Sequence, residues 1–342
     1  MSTLSEAPAG LATGWRELTF GQAIREALAE EMRRDPRVFV IGEDVAQAGT
    51  VFKVLAGLLD EFGPGRVINS PISEAGIAGI GVGAAMTGMR PVVDIMFGDF
   101  ITLAMDQIVN QAAKVHYMSG GKLQAPLVVR TTMGATRRSA AQHSQSLYAW
   151  MAHVPGLKVV LPSTPADAKG LFTAAIRDPN PVIVFEDKMM YGVKGPVPEG
   201  EYVIPLGVAD VKRDGTDATI VATSSMVQVA LQAAAALERD GLSVEVVDPR
   251  TLVPLDTRAL IASAQKTGRV IVVDEGYGQF GVTAEIAALI SDGAFDHLDA
   301  PVRRLGAMNV PVPFSPVLED QTVPTSEAVA AAVRSLCGRG PA

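Results

Sequence analysis

Two kinds of hydrophobic pattern alternate along most of this chain. Short apolar runs, such as residues 38–41, have the length and the β-branched content of buried strands. Between these runs the apolar residues recur every three or four positions, and the spacing of Ile24, Leu28 and Met32 predicts a helix over residues 15–34. Strands that alternate with helices are typical of a doubly wound, mainly parallel α/β sheet.

A stretch rich in glycine and proline interrupts this pattern near the middle of the chain. It covers residues 191–205, contains few apolar positions and is predicted to be a linker between domains. The alternation of strands and helices restarts after it. We therefore expect a flexible tail over residues 1–14, a first α/β domain over residues 15–190 and a smaller α/β domain over residues 206–342.

A glycine-rich helix with an acidic residue at its start is the most distinctive local feature. Ser73 is a suitable N-cap, which places Glu74 on the first helical turn. Gly76, Gly79 and Gly83 then share one helix face, and we expect this face to meet another backbone closely. The glycines lack the Gly-x-Gly-x-x-Gly register of a dinucleotide site. Taken alone, Glu74 could simply complement the helix dipole.

Other polar residues follow predicted strands or lie in loops. Glu43 and Asp44 come directly after the strand at residues 38–41, where open α/β sheets often place their sites, but acids there more often cap a turn. His143 lies in a polar loop over residues 133–146 that has no hydrophobic period. Loops of this length are usually functional or disordered. Alone, His143 could equally be a hydrogen-bonding loop residue.

Composition and charge narrow the range of partners. The 342 residues carry a net charge of −8 without a concentrated basic block, which argues against nucleic acid or an anionic membrane as a partner. Hydrophobic residues make up 48% of the chain and the mean hydropathy is +0.25. No uncharged apolar run approaches the roughly 18 residues of a membrane span. The surplus apolar surface fits a covered parallel sheet and subunit contacts.

Several classes of enzyme lack support in the sequence. It contains no phosphate-binding loop ending in Gly-Lys-Ser/Thr, no His-Glu-x-x-His, no Cys-x-x-Cys and no Gly-x-Ser-x-Gly. The single cysteine, Cys337, rules out an intrachain disulfide and fits a reducing compartment. Residues 1–14 show no secretory or transit pattern, so we expect a cytoplasmic location.

Seven short motifs that occur in order give the chain a family resemblance. Together they closely resemble the beta subunit of the thiamine-diphosphate-dependent first component of 2-oxo acid dehydrogenase complexes, over residues 18–336. Within this family the chain looks nearest to the pyruvate and acetoin branch, because two further segments, at 190–195 and 202–212, are like acetoin-type beta chains. The branched-chain branch fits less well. The seven motifs are Ser-Pro-Ile-Ser-Glu74, Met96-Phe-Gly-Asp-Phe100, Asp106-Gln-Ile-Val-Asn-Gln-Ala-Ala-Lys114, Met118-Ser-Gly-Gly121, Ala141-Gln-His-Ser-Gln145, Pro155-Gly-Leu-Lys-Val-Val160 and Asp248-Pro-Arg-Thr-Leu-Val-Pro-Leu-Asp256.

This resemblance implies a fold and a reaction. The fold is a transketolase-like pyrimidine-binding domain followed by a transketolase C-terminal-like domain. The reaction is the oxidative decarboxylation of a 2-oxo acid, with pyruvate favoured, and the transfer of the acyl group to a lipoyl domain. Cleavage of acetoin is the alternative reaction. A non-catalytic assembly subunit is a further alternative, although it would need neither Glu74 nor His143.

The resemblance also assigns roles to individual residues. Glu74 would hydrogen-bond the aminopyrimidine ring of thiamine diphosphate, and an acid shielded from water by Met96 and Phe100 can share a proton with a ring nitrogen. Phe100 would pack on the pyrimidine, with Met96 beside it. His143 would face the substrate and the incoming lipoyl group and assist proton movement.

A structural potassium ion is implied at a second place. The matching positions are Leu127, Ala175, Ile176, Asp178 and Asn180, which would supply mostly carbonyl oxygens, as a hard cation requires. An ordinary helix end followed by an Asp-Pro-Asn turn explains the same residues equally well.

The other half of the cofactor site is missing from the sequence. Thiamine enzymes hold the diphosphate and its Mg²⁺ near a Gly-Asp-Gly, and the only Gly-Asp here is Gly98-Asp99. We therefore expect an alpha subunit to hold the diphosphate and Mg²⁺, in a heterotetramer of two alpha and two beta chains. The other expected partner is a lipoyl-bearing acyltransferase core. The glycine face of the helix after Glu74 is a natural place for contact between subunits.

Overall fold

Residues 14–338, which the computed structural model describes, form strands and helices in alternation; residues 1–13 of the predicted tail lie outside them. The strands are β1 (Trp15–Thr19), β2 (Val38–Gly42), β3 (Val67–Asn69), β4 (Arg90–Ile95), β5 (Val128–Met133), β6 (Lys158–Val160), β7 (Val182–Asp187), β8 (Lys194–Pro198), β9 (Asp210–Arg213), β10 (Ala218–Ala222), β11 (Val244–Asp248), β12 (Thr251–Val253), β13 (Val270–Tyr277) and β14 (Arg303–Ala307).

The helices lie mostly between these strands. They are α1 (Phe20–Arg34), α2 (Leu58–Phe62), α3 (Glu74–Met86), α4 (Val115–Met118), α5 (Tyr148–Ala152), α6 (Pro165–Arg177), α7 (Met226–Arg239), α8 (Thr257–Thr267), α9 (Val282–Gly293), α10 (Pro316–Glu319) and α11 (Ser326–Leu336). Two 3₁₀ segments (Gly98–Ala104 and Phe295–His297) and a π-helical segment (Asp106–Ala112) complete the secondary structure of the described residues.

The first domain is built on a seven-stranded sheet with the order β12-β6-β7-β5-β4-β2-β3. All neighbouring strands pair in parallel except β12, which runs antiparallel to β6. Both faces are covered: α1 and α6 contribute to one hydrophobic core, and α3 with the segments that follow β4 contributes to the other. This arrangement explains why its strands have nearly continuous apolar sequences.

The second domain is smaller and repeats the same principle. Its five-stranded sheet has the order β14-β13-β10-β11-β9, and only β9 is antiparallel. Residues of α7 and α11 pack on one face and residues of α8 and α9 on the other. The predicted two-domain α/β fold is confirmed. Within residues 14–338, none of the helices has the length and apolar character that crossing a membrane requires.

The helix predicted over residues 15–34 is wrong at its beginning. Its first five residues form β1, which pairs antiparallel with β8. The change of structure occurs at Thr19, whose hydroxyl accepts from the N–H of Gln22 at 3.2 Å while the Gln22 side chain accepts from the N–H of Thr19 at 2.8 Å. This reciprocal capping box begins α1 after the strand has ended.

The stretch over residues 191–205, predicted as a linker, is not an irregular connection. It contains β8, and Val197 and Ile204 are buried in the core of the first domain. The second half of the chain also returns to the first domain, because β12 pairs with β6. The sequence pattern did not reveal this exchange because β12 is only three residues long.

The glycine face of α3 does not meet another backbone among the described residues, 14–338. A Cβ atom added at Gly83 would have no neighbour within 4 Å, and one at Gly79 would meet only the Gln107 side chain at 3.7 Å. The close approach occurs instead at Gly81, where an added Cβ would lie 2.3 Å from the Val93 side chain. The predicted glycine face therefore meets only side chains: Gln107 at Gly79, and the Ser73 side chain of its own helix cap, whose Oγ would lie 2.9 Å from a Cβ added at Gly76.

A buried ionic cluster joins the three central strands of the first sheet. Arg130 on β5 is 3% exposed and donates to Glu186 on β7, with Nε 2.8 Å from Oε1, and to Asp94 on β4. Tyr191 donates its hydroxyl hydrogen to Glu186 at 2.7 Å. Burial raises the pKa of Asp94, and the Arg130 charge opposes that rise. One cation thus serves two carboxyl groups in the interior.

We expect Arg130→Met to destabilise the chain by about 3–5 kcal/mol, because it leaves two buried carboxyl groups without their cation. Chemical denaturation would measure the loss. Arg33→Met, which removes a partner of an exposed pair with Glu61, is the control and should cost about 1 kcal/mol or less. Adding Asp94→Asn and Glu186→Gln to Arg130→Met should recover part of the stability. An Arg130→Met variant as stable as the control would contradict this account.

Candidate functional site

The carboxyl ends of five neighbouring parallel strands meet at one edge of the first sheet. In spatial order these strands are β7, β5, β4, β2 and β3. The segments that leave them carry Lys188, the loop with His143, Phe97 and Phe100, Glu43, and Glu74 in the same order. Open α/β sheets bind their ligands at this edge. The topology therefore gathers most of the candidate residues, which are distant in sequence.

Glu74 occupies the position that the sequence predicts. The Ser73 hydroxyl accepts from the N–H of Gly76 at 3.3 Å and so begins α3 with Glu74 as its first residue. Although it is charged, Glu74 is only 7% exposed. A carboxyl group this far from water needs a partner that is polar or positively charged.

Glu43 lies near Glu74, and the sequence analysis did not anticipate that these two acids come together. Burial, together with the charges of Asp44 and Glu74, raises the pKa of Glu43. The sequence analysis favoured Glu43 and Asp44 as caps of the next turn, and this prediction is wrong. The side chain that binds a backbone N–H there is that of Asn69, which accepts from the N–H of Ala46 at 3.2 Å. The signal in the sequence was the position of Glu43 directly after a buried strand.

His143 is held between two aromatic rings. Its ring centroid lies 4.7 Å from that of Phe97 and 5.2 Å from that of Phe100, both with nearly perpendicular planes. The two phenylalanine rings are themselves 5.6 Å apart. Met96 precedes them, and its carbonyl oxygen accepts from Thr132 at 2.9 Å. The structure thus brings His143 and Phe100 together, with Met96 at the adjoining strand end.

Two charged residues that the sequence analysis did not assign to the site, Lys188 and Asp99, contact the loop that carries His143. Lys188 is 1% exposed, its ammonium group donates to the carbonyl oxygen of His143, and it lies 5.7 Å from the centre of the Phe97 ring. Burial lowers the pKa of Lys188, and the charge of Asp99 is the largest opposing influence. Asp99 accepts from the Gln145 side chain at 2.9 Å. A lysine directly after the buried run at residues 182–187 was the available signal.

The second domain reaches the same edge through β13. The Ser146 hydroxyl donates to Glu275 at 3.2 Å, so the loop with His143 contacts both domains. Burial, followed by the charges of Asp187 and Asp274, raises the pKa of Glu275 well above its usual range. Gly134 has φ of +96°, and an added Cβ would lie 2.9 Å from a Glu275 carboxylate oxygen. Only glycine suits that position.

The residues expected to bind potassium lie at the opposite edge of the sheet, around the end of α6. Arg90 donates to the carbonyl oxygen of Ile176 at 2.7 Å and to that of Asp178 at 3.2 Å. The Asp178 carboxylate pairs with Lys158 and also accepts from the Asn180 side chain at 2.9 Å. Two protein cations therefore already contact this loop.

The remaining expected ligands are hydrogen-bonded to the backbone. The carbonyl oxygen of Leu127 accepts from Val182 at 3.0 Å, and that of Ala175 accepts from Asp178 at 3.3 Å. Because a carbonyl oxygen has two acceptor positions, these bonds leave room for a cation. Across residues 14–338 there is no group of three or more His, Cys, Asp or Glu residues that could hold a metal ion.

Comparisons with known proteins cover nearly the whole chain. The transketolase pyrimidine-binding domain matches residues 16–194, and the transketolase C-terminal domain matches residues 207–329. The beta subunit of acetoin:2,6-dichlorophenolindophenol oxidoreductase from Bacillus subtilis is 50% identical, over 94% of this chain and 98% of its own length. The chain belongs to the beta-subunit family of 2-oxo acid dehydrogenase first components.

The names of other members of this beta-subunit family indicate different substrates. The pyruvate dehydrogenase E1 beta subunit of Rhizobium meliloti is 49% identical, over 96% of this chain and 72% of its own length. The 2-oxoisovalerate dehydrogenase beta subunit of Bacillus subtilis is 48% identical, over 93% of this chain and 98% of its own length. The three identities differ by two percentage points at most. Overall identity therefore does not distinguish the substrates.

The fold of the beta-subunit family extends to transketolases. A solved chain described as a split-gene transketolase, from an inactive beta4 tetramer, superposes with a TM-score of 0.77 at 24% identity, over 95% of this chain and 99% of its own length. At this identity the likeness shows the fold alone. The family depends on thiamine diphosphate. A buried acid near an aromatic cluster fits the aminopyrimidine half of that cofactor.

Proposed function

We propose that this chain supplies the aminopyrimidine half of the active site in the first component of a 2-oxo acid dehydrogenase, with pyruvate as the favoured substrate. The observation that carries the proposal is the position of Glu74. It is a buried acid on the first turn of α3, at the sheet edge where the aromatic cluster of Phe97, Phe100 and His143 also lies. An assembly subunit without catalytic function would have no use for this arrangement.

Glu74 would hold a proton at the cofactor ring. Thiamine diphosphate, when bound, would supply a nucleophilic carbon that adds to a substrate carbonyl group and a positively charged thiazolium ring that accepts the electron pair of the carbon–carbon bond that breaks. The Glu74 carboxyl group would hydrogen-bond a ring nitrogen of the aminopyrimidine, and its burial would keep water from competing for that bond. Met96 and Phe100 would line the ring and keep water away from this bond.

His143 would move protons during acyl transfer to a lipoyl group. Its imidazole is fixed by Phe97 and Phe100 and its backbone by Lys188, so its nitrogen atoms have little freedom to turn. A histidine whose ring is held in this way keeps its nitrogen atoms oriented for proton transfer. The acyltransferase core of the complex is expected to carry this lipoyl group.

The diphosphate and Mg²⁺ would be bound by an alpha subunit. Within residues 14–338 there is no cluster of three or more His, Cys, Asp or Glu side chains that could hold a metal ion, and the sequence has no Gly-Asp-Gly. We therefore propose a site shared between chains in a heterotetramer of two alpha and two beta subunits. The exposed glycines of α3 would allow close contact between subunits.

Cleavage of acetoin is a second candidate reaction. The beta subunit at 50% identity carries acetoin in its name, and it matches the chain over almost its full length. Both reactions break a bond next to a carbonyl group, so the roles of Glu74 and His143 would be the same. Assaying the complex of this chain with its alpha subunit against pyruvate, acetoin and branched 2-oxo acids would separate the candidates.

In that complex, Glu74→Gln should lower turnover by at least about 100-fold, because an amide cannot share a proton with the ring nitrogen. His143→Ala should retain decarboxylation with an artificial electron acceptor but lose transfer to the lipoyl domain. The control is Glu17→Gln, which changes an exposed glutamate. Circular dichroism and the midpoint of thermal unfolding should be unchanged in all three variants. Near wild-type decarboxylation by Glu74→Gln would refute the role of Glu74.

The isolated chain should not bind thiamine diphosphate tightly, because the diphosphate half of the site would be absent. Analytical ultracentrifugation combined with a cofactor titration measures both assembly and affinity. Adding the alpha subunit should produce the heterotetramer and tight binding together. Tight binding by the isolated chain would refute the proposed division between subunits.

We also propose that K⁺ binds the loop formed by Leu127, Ala175, Ile176, Asp178 and Asn180. Because a ligand that binds only the folded state stabilises it, the midpoint of thermal unfolding should be higher in KCl than in tetramethylammonium chloride at equal ionic strength. Asp178→Asn should reduce this difference. Equal midpoints in the two salts for the unmodified chain would count against the ion.

A further inference from the structure

The loop that carries His143 contains backbone conformations that its own residue types disfavour. This His143 loop, residues 134–147, contains neither helix nor strand. Thr136, Arg138 and Ala140 have φ values of +69°, +60° and +61°. Non-glycine residues disfavour this left-handed region, so three of them in five positions require contacts from outside the loop. The identity of those contacts determines what controls the position of His143.

Arg138 makes the strongest of these contacts, and it reaches into the second domain. Its backbone N–H lies 3.0 and 3.3 Å from the two carboxylate oxygens of Glu319 at the end of α10. Its guanidinium group is 2.8 Å from Glu319 Oε2, and 2.6 and 3.0 Å from the two oxygens of Asp320. Glu319 is fully buried, whereas Asp320 is exposed.

The loop is held on its other side by the first domain. Arg137, next to Arg138, lies 5.2 Å from the centre of the Phe52 ring and donates to the carbonyl oxygen of Lys188 at 3.5 Å. Lys188 in turn donates to the carbonyl oxygen of His143. Consecutive arginines therefore fix the loop to different domains. The second domain holds the loop at Arg138 through Glu319 and Asp320, in addition to the contact of Glu275 with Ser146.

This geometry is stronger than that of an ordinary surface pair. Several N–H donors from one residue converge on two neighbouring carboxylates, one of which has no access to water. Bidentate and networked pairs are the exceptions to the rule that exposed ion pairs contribute little. Arg138 also pairs through its backbone, so the contact fixes the main chain as well as the side chain.

We propose that Arg138 is a positioning residue, which uses Glu319 and Asp320 of the second domain to hold the strained His143 loop so that the imidazole stays between Phe97 and Phe100. The inference rests on the proposed function of His143. It assigns the second domain a part in catalysis that acts through the position of the His143 loop. Arg138 acts through the loop and does not touch the substrate.

The kinetic test uses the complex of this chain with its alpha subunit, cofactor and a lipoyl domain. Arg138→Gln should lower kcat for acyl transfer roughly 10- to 100-fold while the affinity for thiamine diphosphate changes by less than about twofold, because misplacing a catalytic group affects the rate rather than binding. Arg138→Lys should recover part of the rate, since it keeps the charge without the planar fork. Asp320→Asn should lower kcat less, because Glu319 remains paired.

A double-mutant cycle supplies the matched control. Arg138→Gln and Asp320→Asn should be non-additive, because each removes the same contact. Arg334 and Asp240 form a pair of similar exposure, with an N–O distance of 2.6 Å, that is not part of the site. Arg334→Gln should leave kcat unchanged and should combine additively with Arg138→Gln. Additive effects of Arg138→Gln and Asp320→Asn would overturn the proposed contact.

Amide hydrogen exchange of the same complex separates this inference from the proposed function. Exchange over residues 134–147 should be faster in Arg138→Gln than in the unmodified chain, with no change elsewhere in the first domain. Unchanged exchange would overturn the anchoring, and faster exchange with an unchanged kcat would overturn its role in positioning. Full acyl transfer by His143→Ala alongside a slow Arg138→Gln variant would refute both the role of His143 and the route through it.

Discussion

The ion pairs between Arg130 and the carboxyl groups of Asp94 and Glu186 underlie the rest of the structure. They connect β4, β5 and β7 in the interior, where a single unpaired charge would be costly. The same three strands lead to the aromatic cluster, the His143 loop and Lys188. The relative positions of these groups therefore depend on a charge balance beneath them. The site can have its own excess of acid because the strands that carry it are fixed independently.

The site itself also contains several charged side chains that are buried or partly buried. Glu43, Glu74, Asp99 and Glu275 approach the same sheet edge, with Lys188 as a buried cation among them. Burial and neighbouring acids raise the pKa values of Glu43 and Glu275. Such groups would suit the proposed reaction, in which protons move to and from a ring nitrogen. The second domain completes this environment through β13 and α10, although the match to the family's pyrimidine-binding domain ends at residue 194.

Much of the fold and part of the site could be predicted from the sequence. The strands were visible because both sheet faces are covered, and the start of α3 because Ser73 is a suitable cap. Lys188 and Asp99 were missed because their importance comes from three-dimensional neighbours. Arg138 was missed for the same reason: its partners are about 180 residues away in sequence. The roles of Glu43 and of the glycine face likewise depend on what packs against them.

The short strand β12 has a consequence for how this protein could be divided. It belongs by sequence to the second half of the chain but forms one border of the first sheet, beside β6. Separating the halves between residues 191 and 205 would remove that border and leave β6 with unpaired backbone groups. An exposed edge strand of this kind favours aggregation. Gene fission or domain shuffling at the apparent boundary would produce two incomplete pieces. The first sheet is therefore complete only with residues from both halves of the chain.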